Sequence, residues 1–144
     1  MIRAIVAVLV GVAAGFVAEG LVETIGHALF PPPPGLDIAD PEQLARYLPG
    51  LPLGSQLFLV LSWAAGSFLG GWVAAAIAPS ARSGAAIAVG LVMLAVGGWG
   101  IFNASYPYWM AALGLLLPVP LAWAAGRLTY QAISRGKNSA IRSS

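Results

Sequence analysis

Charge is what this sequence lacks most. Of its 144 residues, 7 are Lys or Arg and 5 are Asp or Glu, so charged side chains make up 8% of the chain against 59% hydrophobic. A soluble globular domain carries about 25% charged residues, and so few charges cannot cover a water-facing surface. That scarcity excludes a soluble enzyme. With a mean hydropathy of +0.85 it also excludes a disordered chain, which needs low hydrophobicity and high net charge. Cysteine is absent altogether, which removes disulfides, thiolate metal sites and cysteine nucleophiles and leaves the redox compartment open. The isoelectric point near 9.4 rests on an excess of two cations and not on a basic stripe, so no nucleic-acid partner is expected. Histidine occurs once, at His27, and no hydroxyl is placed beside it by sequence. A Ser/His/Asp arrangement is therefore missing, and neither an enzymatic activity nor a cofactor is expected. The polar–apolar alternation of a transmembrane β-barrel is missing as well.

What stands in place of charge is apolar length. A bilayer core about 30 Å thick is crossed by roughly 20 apolar residues in a helix. Four stretches reach that length, residues 2–30, 53–78, 84–102 and 108–128. The first is interrupted only by Arg3, Glu19, Glu23 and His27, the next two carry no charge, and the fourth is uncharged until Arg127. The predicted fold class is all-α: a polytopic membrane protein with a four-transmembrane-helix bundle, forming one membrane domain over residues 1–144. An outer loop occupies 31–52 and a basic tail 129–144. Met1-Ile2-Arg3 ahead of an apolar stretch has the look of a signal peptide. The stretch runs too far past any small-residue cleavage site, however, and is read as a span.

Six of the seven cations are expected on one side of the bilayer: Arg3, Arg82 in the turn at 79–83, and Arg127, Arg135, Lys137 and Arg142 at the end of the chain. Arg46 alone lies opposite, with Asp37, Asp40 and Glu42. Cytoplasmic loops carry the excess of Lys and Arg, so both termini are expected in the cytoplasm and the 31–52 loop outside a cell inner membrane. In that loop Pro31–Pro34 favours a stiff polyproline II segment. Asp40-Pro41-Glu42-Gln43 then reads as a helix start, with Asp40 as cap, Pro41 at the first helical position and Gln43 at capping-box spacing. Leu44, Tyr47 and Leu48 share one face of this short helix, which Pro49 ends. Such a piece lies apolar side down on the outer leaflet, as a connector or as a lid over an outer cavity.

Small residues recur at a spacing of four: Gly11 and Gly15 in the first span, Gly66, Gly70, Ala74 and Ala78 in the second. Lipid tails are as apolar as leucine, so membrane helices associate where small residues let backbones approach. The stripes predict close packing of the first two spans, or of two copies of the chain. Pro118 and Pro120 each remove a backbone hydrogen bond near the middle of the fourth span and are the candidates for a kink or hinge. Phe30, Tyr47, Trp99, Tyr106, Tyr108 and Trp109 form an outer aromatic belt, and Trp123 and Tyr130 an inner one. Trp63 and Trp72 lie deeper, either packed or flanking a cavity.

One constellation carries ionisable chemistry. Glu19, Glu23 and His27 stand four residues apart and drift by about 40° at each step, so they form one stripe that Gly11 and Gly15 extend. At 1.5 Å per residue they lie roughly 6, 12 and 18 Å outward of the middle of the span. An acidic residue at a helix centre costs about 2.5–3.5 kcal/mol on insertion scales, and two carboxylates one turn apart titrate as a pair. Three readings remain open at this point. The stripe relays protons or a cation; or oxygen and imidazole donors ligate a metal through Glu19, Glu23 and His27; or Glu19 is structural, bonded to Ser62, Ser67 or Asn103. Asn103 either donates to Glu23 or His27 or caps the third span.

The run Glu23-Thr24-Ile25-Gly26-His27 leading into Pro31–Pro34, Gly35 and Asp37, with the later Pro107-Tyr108-Trp109, resembles small four-span bacterial inner-membrane proteins of uncharacterised activity. The Ala- and Gly-rich composition fits a GC-rich bacterium. The small multidrug resistance exporters are also similar, with four short helices and a membrane-embedded glutamate in the first, which Glu19 would match. The long Pro-rich loop, the second glutamate and the strong cation asymmetry depart from them, and drug export is not carried over. The expectation is thus a small integral membrane protein, non-enzymatic, of transport or accessory type, with the Glu19–Glu23–His27 stripe as an inward-facing polar site. The alternative is a structural subunit of a larger membrane complex. Beyond the lipid bilayer, a homodimer or such a complex are the partners left open.

Overall fold

In the computed structural model, which describes residues 2–37, 40–104 and 106–142, every regular element is helical. Helix α1 spans Ile2–Leu29 and α2 Pro41–Tyr47, followed by a 3-10 turn at Leu48–Gly50; α3 spans Leu53–Ile77, α4 Arg82–Asn103, α5 Tyr108–Leu116 and α6 Pro118–Arg142. Four stretches are long and apolar enough to cross a bilayer: α1, α3, α4, and the α5–α6 run from Tyr108 to Ala132. The protein is therefore a multi-pass, all-α bundle, with spans ending within a few residues of the predicted limits. Prolines mark several of the ends. Pro31 follows α1, Pro52 precedes α3, Pro79 follows α3 and Pro107 precedes α5, each where a missing N–H is tolerated.

Two features differ from expectation. The stretch from 129 was read as a tail, yet α6 continues to Arg142. Once a helix is nucleated by packing, each further residue adds a hydrogen bond, and no proline follows Pro120 to stop it. The fourth span is also two helices rather than one. Leu117, between α5 and α6, keeps helical dihedrals (φ −78°, ψ −36°) and donates to the Leu113 carbonyl at 2.9 Å. Pro118 and Pro120 have no N–H to return to Gly114 and Leu116, so the helix is interrupted where the prolines were placed as hinge candidates.

Packing places α3 and α4 at the centre, with α1 and α6 each lying against both. The α1–α3 contact is backbone to backbone. A Cβ added at Gly11 would stand 2.7 Å from the Gly70 carbonyl oxygen, and one at Gly15 2.8 Å from that of Gly66. The small-residue stripes thus meet within one chain. Below them the core is built from small side chains, with Ala7, Ala74, Ala78, Ala85, Val89 and Met93 buried together. Arg3 Nε donates to the Ile77 carbonyl at 2.8 Å, satisfying an end of α3 that has no further helical turn. Leu9, Val17, Leu21 and Ile25 of α1 remain exposed, as a lipid-facing surface requires.

Candidate functional site

The loop between α1 and α3 is fixed by its own hydrogen bonds. Pro33-Pro34-Gly35-Leu36 forms a turn closed by Leu36 N–H on the Pro33 carbonyl at 3.2 Å, and Gly35 supplies the positive φ of 86° that this turn needs. Asp40 caps α2, accepting from Glu42 N–H at 2.9 Å and from the Gln43 side chain at 2.8 Å. Gln43 also accepts from the Asp37 N–H at 3.2 Å, so it ties the cap to the preceding turn instead of closing a reciprocal box on Asp40. The hydrogen bonds hold Asp40 below the ordinary carboxylate range, the Gln43 side chain contributing most. So fixed, α2 turns Leu44, Tyr47 and Leu48 onto a cavity of about 210 Å³ whose other walls include Phe58, Glu23 and His27. Ser55, also on this cavity, has a buried hydroxyl with no hydrogen-bond partner among the described residues.

A second cavity of about 230 Å³ lies deeper, reaching Glu19, Trp63, Ser67, Met93, Gly114 and Pro118. Glu23, Leu59 and Tyr106 line both cavities. The stripe therefore runs from an exposed His27 on the first cavity, past a half-buried Glu23 that lines both, to a half-buried Glu19 on the second. Ser62, fully buried on α3, donates to the Leu59 carbonyl at 2.7 Å and stands 3.4 Å from Glu23 Oε1. A hydroxyl has one proton, so the contact with Glu23 is the weaker of the two.

The structural reading of Glu19 is not what the geometry gives. Ser67 donates to the Trp63 carbonyl at 2.8 Å and Asn103 to the Trp99 carbonyl at 2.7 Å, each back along its own helix, while Ser62 faces Glu23. Among the described residues no hydrogen bond reaches the Glu19 carboxyl. Asn103 is exposed, lines neither cavity and satisfies the end of α4; it does not join the stripe. The metal reading finds no support either: among the described residues no three His, Asp or Glu groups come together to hold an ion. One helical turn separates each member of the stripe from the next, which spreads the donors along the axis.

Tyr106 is the residue that sequence reasoning placed elsewhere. Assigned to the aromatic belt, it instead folds inward from the link between α4 and α5 and packs edge-on against Trp63, ring centres 5.5 Å apart. Burial pushes its phenol above the ordinary value, and the charges of Glu23 and Glu19 push the same way, so it stays a proton donor. The available signal was Pro107, which forces the preceding residue out of helical geometry. Gly114 makes room for this inner wall, since a Cβ there would stand 2.9 Å from the Trp63 ring. The chain matches no protein-family profile, no curated protein and no solved structure.

Proposed function

We propose that this is a small non-enzymatic membrane protein of transport type, in which Glu19 and Glu23 carry a proton, or hold a small cation, between the outer cavity and the middle of the bilayer. The observation that carries the reading is a pair of neighbouring cavities that share Glu23 and Tyr106 as walls, with Glu19 lining the second. Ionisable groups in a span are costly and as a rule serve a pathway. His27 stands at the mouth, and Tyr106 offers a donor to both carboxylates. The placement is a bacterial inner membrane with the α2 loop outside and both termini in the cytoplasm, as the cation asymmetry supports.

A second reading, an accessory subunit of a larger complex, is favoured by the broad apolar face of α1. It is weakened by the Gly11–Gly15 and Gly66–Gly70 stripes, which pack against each other within the chain and are not free for a partner. Purified protein in liposomes, with a pH dye inside and a potassium diffusion potential, separates the two. Wild type is expected to acidify the interior faster than empty vesicles. Glu19→Gln abolishes the flux, Glu23→Gln slows it, and His27→Ala affects entry from outside, all with unchanged thermal stability. A flux in Glu19→Gln equal to wild type, or none in wild type above empty vesicles, overturns the relay.

A further inference from the structure

The end of the bundle opposite α2 holds a cleft that the ladder does not use. Arg82 opens α4, Arg127 lies on α6, and with Ser83, Tyr130 and Gln131 they line a volume of about 450 Å³. The Arg82 guanidinium stands 5.8 Å from the Tyr130 ring centre and that of Arg127 4.3 Å from the Trp123 ring. Stacking on an aromatic face fixes the plane of a guanidinium and leaves its N–H edges to an acceptor. Arg82 Nε is buried with no partner among the described residues, and a buried charged donor left unpaired is strongly unfavourable. No side-chain carboxylate can reach it. The acidic residues are Glu19, Glu23, Asp37, Asp40 and Glu42, all in the outward half of α1 or the α2 region, and residues 43–144 contain none.

We propose that this cleft binds the phosphate of an anionic phospholipid headgroup. Two guanidinium forks match phosphate oxygens geometrically, and the first turn of α4 adds free N–H groups and the positive end of its dipole. The source of the phosphate follows from the exposure of Tyr130 on the cleft, at 61%, and of Trp123 beneath Arg127, at 39%. Exposed aromatic rings beside cations at the end of a span mark the level of the headgroups, where basic clefts between helices take anionic lipids.

The test uses the full chain in bilayers in which bromine-labelled phosphatidylglycerol or phosphatidylcholine quenches tryptophan fluorescence, Trp123 being the nearest reporter. Wild type is expected to prefer phosphatidylglycerol. Arg127→Gln, at an exposed position, lowers that preference about fivefold, the worth of one cation at an anionic surface. Arg46→Gln removes the same charge at the opposite end and leaves the preference unchanged. Arg82→Gln is read in parallel where circular dichroism shows wild-type helicity; Arg127→Gln decides the matter without it. Equal preference in wild type and Arg127→Gln, or an equal loss in Arg46→Gln, overturns the site. Protection of the arginines by millimolar inorganic phosphate in phosphatidylcholine alone reassigns the cleft to a soluble phosphate and overturns the lipid.

Discussion

Replacing Gly11 by alanine tests the backbone contact between α1 and α3. The new methyl carbon would stand 2.7 Å from the Gly70 carbonyl oxygen, 2.8 Å from Ala74 Cβ and 2.9 Å from Val89 Cγ2. The first two atoms belong to backbone or to a Cβ and cannot rotate away. Non-bonded contacts settle near 3.5 Å, so α1 must withdraw from α3 by roughly 0.7 Å, and the dispersion contacts around Gly15 and Gly66 weaken with it. Overpacking of this kind costs about 1–3 kcal/mol, against a gain of about 0.5–1 kcal/mol from alanine's better helix propensity. The expected net loss is about 1–2 kcal/mol. Gly20 supplies the control on the same helix, because nothing lies within 4 Å of a Cβ there. Gly20→Ala should be neutral or stabilising by up to about 1 kcal/mol. Equilibrium unfolding of both variants in bicelles gives the comparison, with Gly70→Ala expected to follow Gly11→Ala. Should Gly11→Ala prove as stable as Gly20→Ala, the backbone contact between α1 and α3 does not limit the packing, and the account of the bundle given above is wrong.

Two further predictions concern the lid and the break in the fourth span. Asp40 has its pKa lowered by the Gln43 and Glu42 hydrogen bonds, so its cap contributes fully above the ordinary carboxylate range and is lost as pH falls through the lowered value; hydrogen-exchange protection factors of residues 42–48, taken against the intrinsic rate at each pH, should fall at low pH in wild type and stay constant in Asp40→Asn, which caps without ionising. Pro118→Ala restores a donor for the Gly114 carbonyl, and should raise the unfolding midpoint while slowing proton flux in the liposome assay; a faster flux would show that the interruption at Leu117 does not serve the pathway.

The bundle was legible because the signals for it are local. Apolar length defines α1, α3 and α4, and Asp40-Pro41 announces α2 through its own hydrogen bonds. The glycine spacing pointed to a close contact, and only its choice of partner, the second span or another copy, needed the three-dimensional arrangement. The ladder was legible as a stripe because 3.6 residues per turn fix which side chains share a face. What completes the site was not. Tyr106 reaches it through a non-helical link whose direction is set by Pro107 and by the Trp63 ring, 43 residues earlier in the chain. Asn103 shows the converse. An amide at a helix end has a carbonyl of its own helix within reach, and the Trp99 bond at 2.7 Å outcompetes any distant partner. The continuation of α6 past Leu128 escaped because composition reports solvation, whereas helix propagation depends on what has already folded before it.

Where the ladder ends is decided by the glycines. A Cβ at Gly66 would stand 2.9 Å from the Gly15 carbonyl oxygen and 3.2 Å from Glu19 Cβ, so the deepest carboxylate sits at the point where α1 and α3 close. Outward of it, the first cavity opens beside Glu23, Phe58 and Leu59, while the second surrounds Glu19 itself, from Leu59 and Trp63 to Phe16 and Met93. Inward of it, Gly11 and Gly70 bring the backbones together over the core of Ala7, Ala74, Val89 and Met93, a cluster that contains no polar side chain. A proton entering past His27 would therefore halt at Glu19. Passing further needs one wall of the inner cavity to move. The α1–α3 wall is the wrong one, since parting two backbones in contact forfeits dispersion along the whole glycine stripe. The opposite wall contains Gly114 and Pro118, where the helix already lacks a hydrogen bond and α5 can tilt against α6 without breaking another. In the proposed transport cycle the fourth span is accordingly the moving element, and the tight pair of α1 and α3 is the fixed one that holds the carboxylates in register.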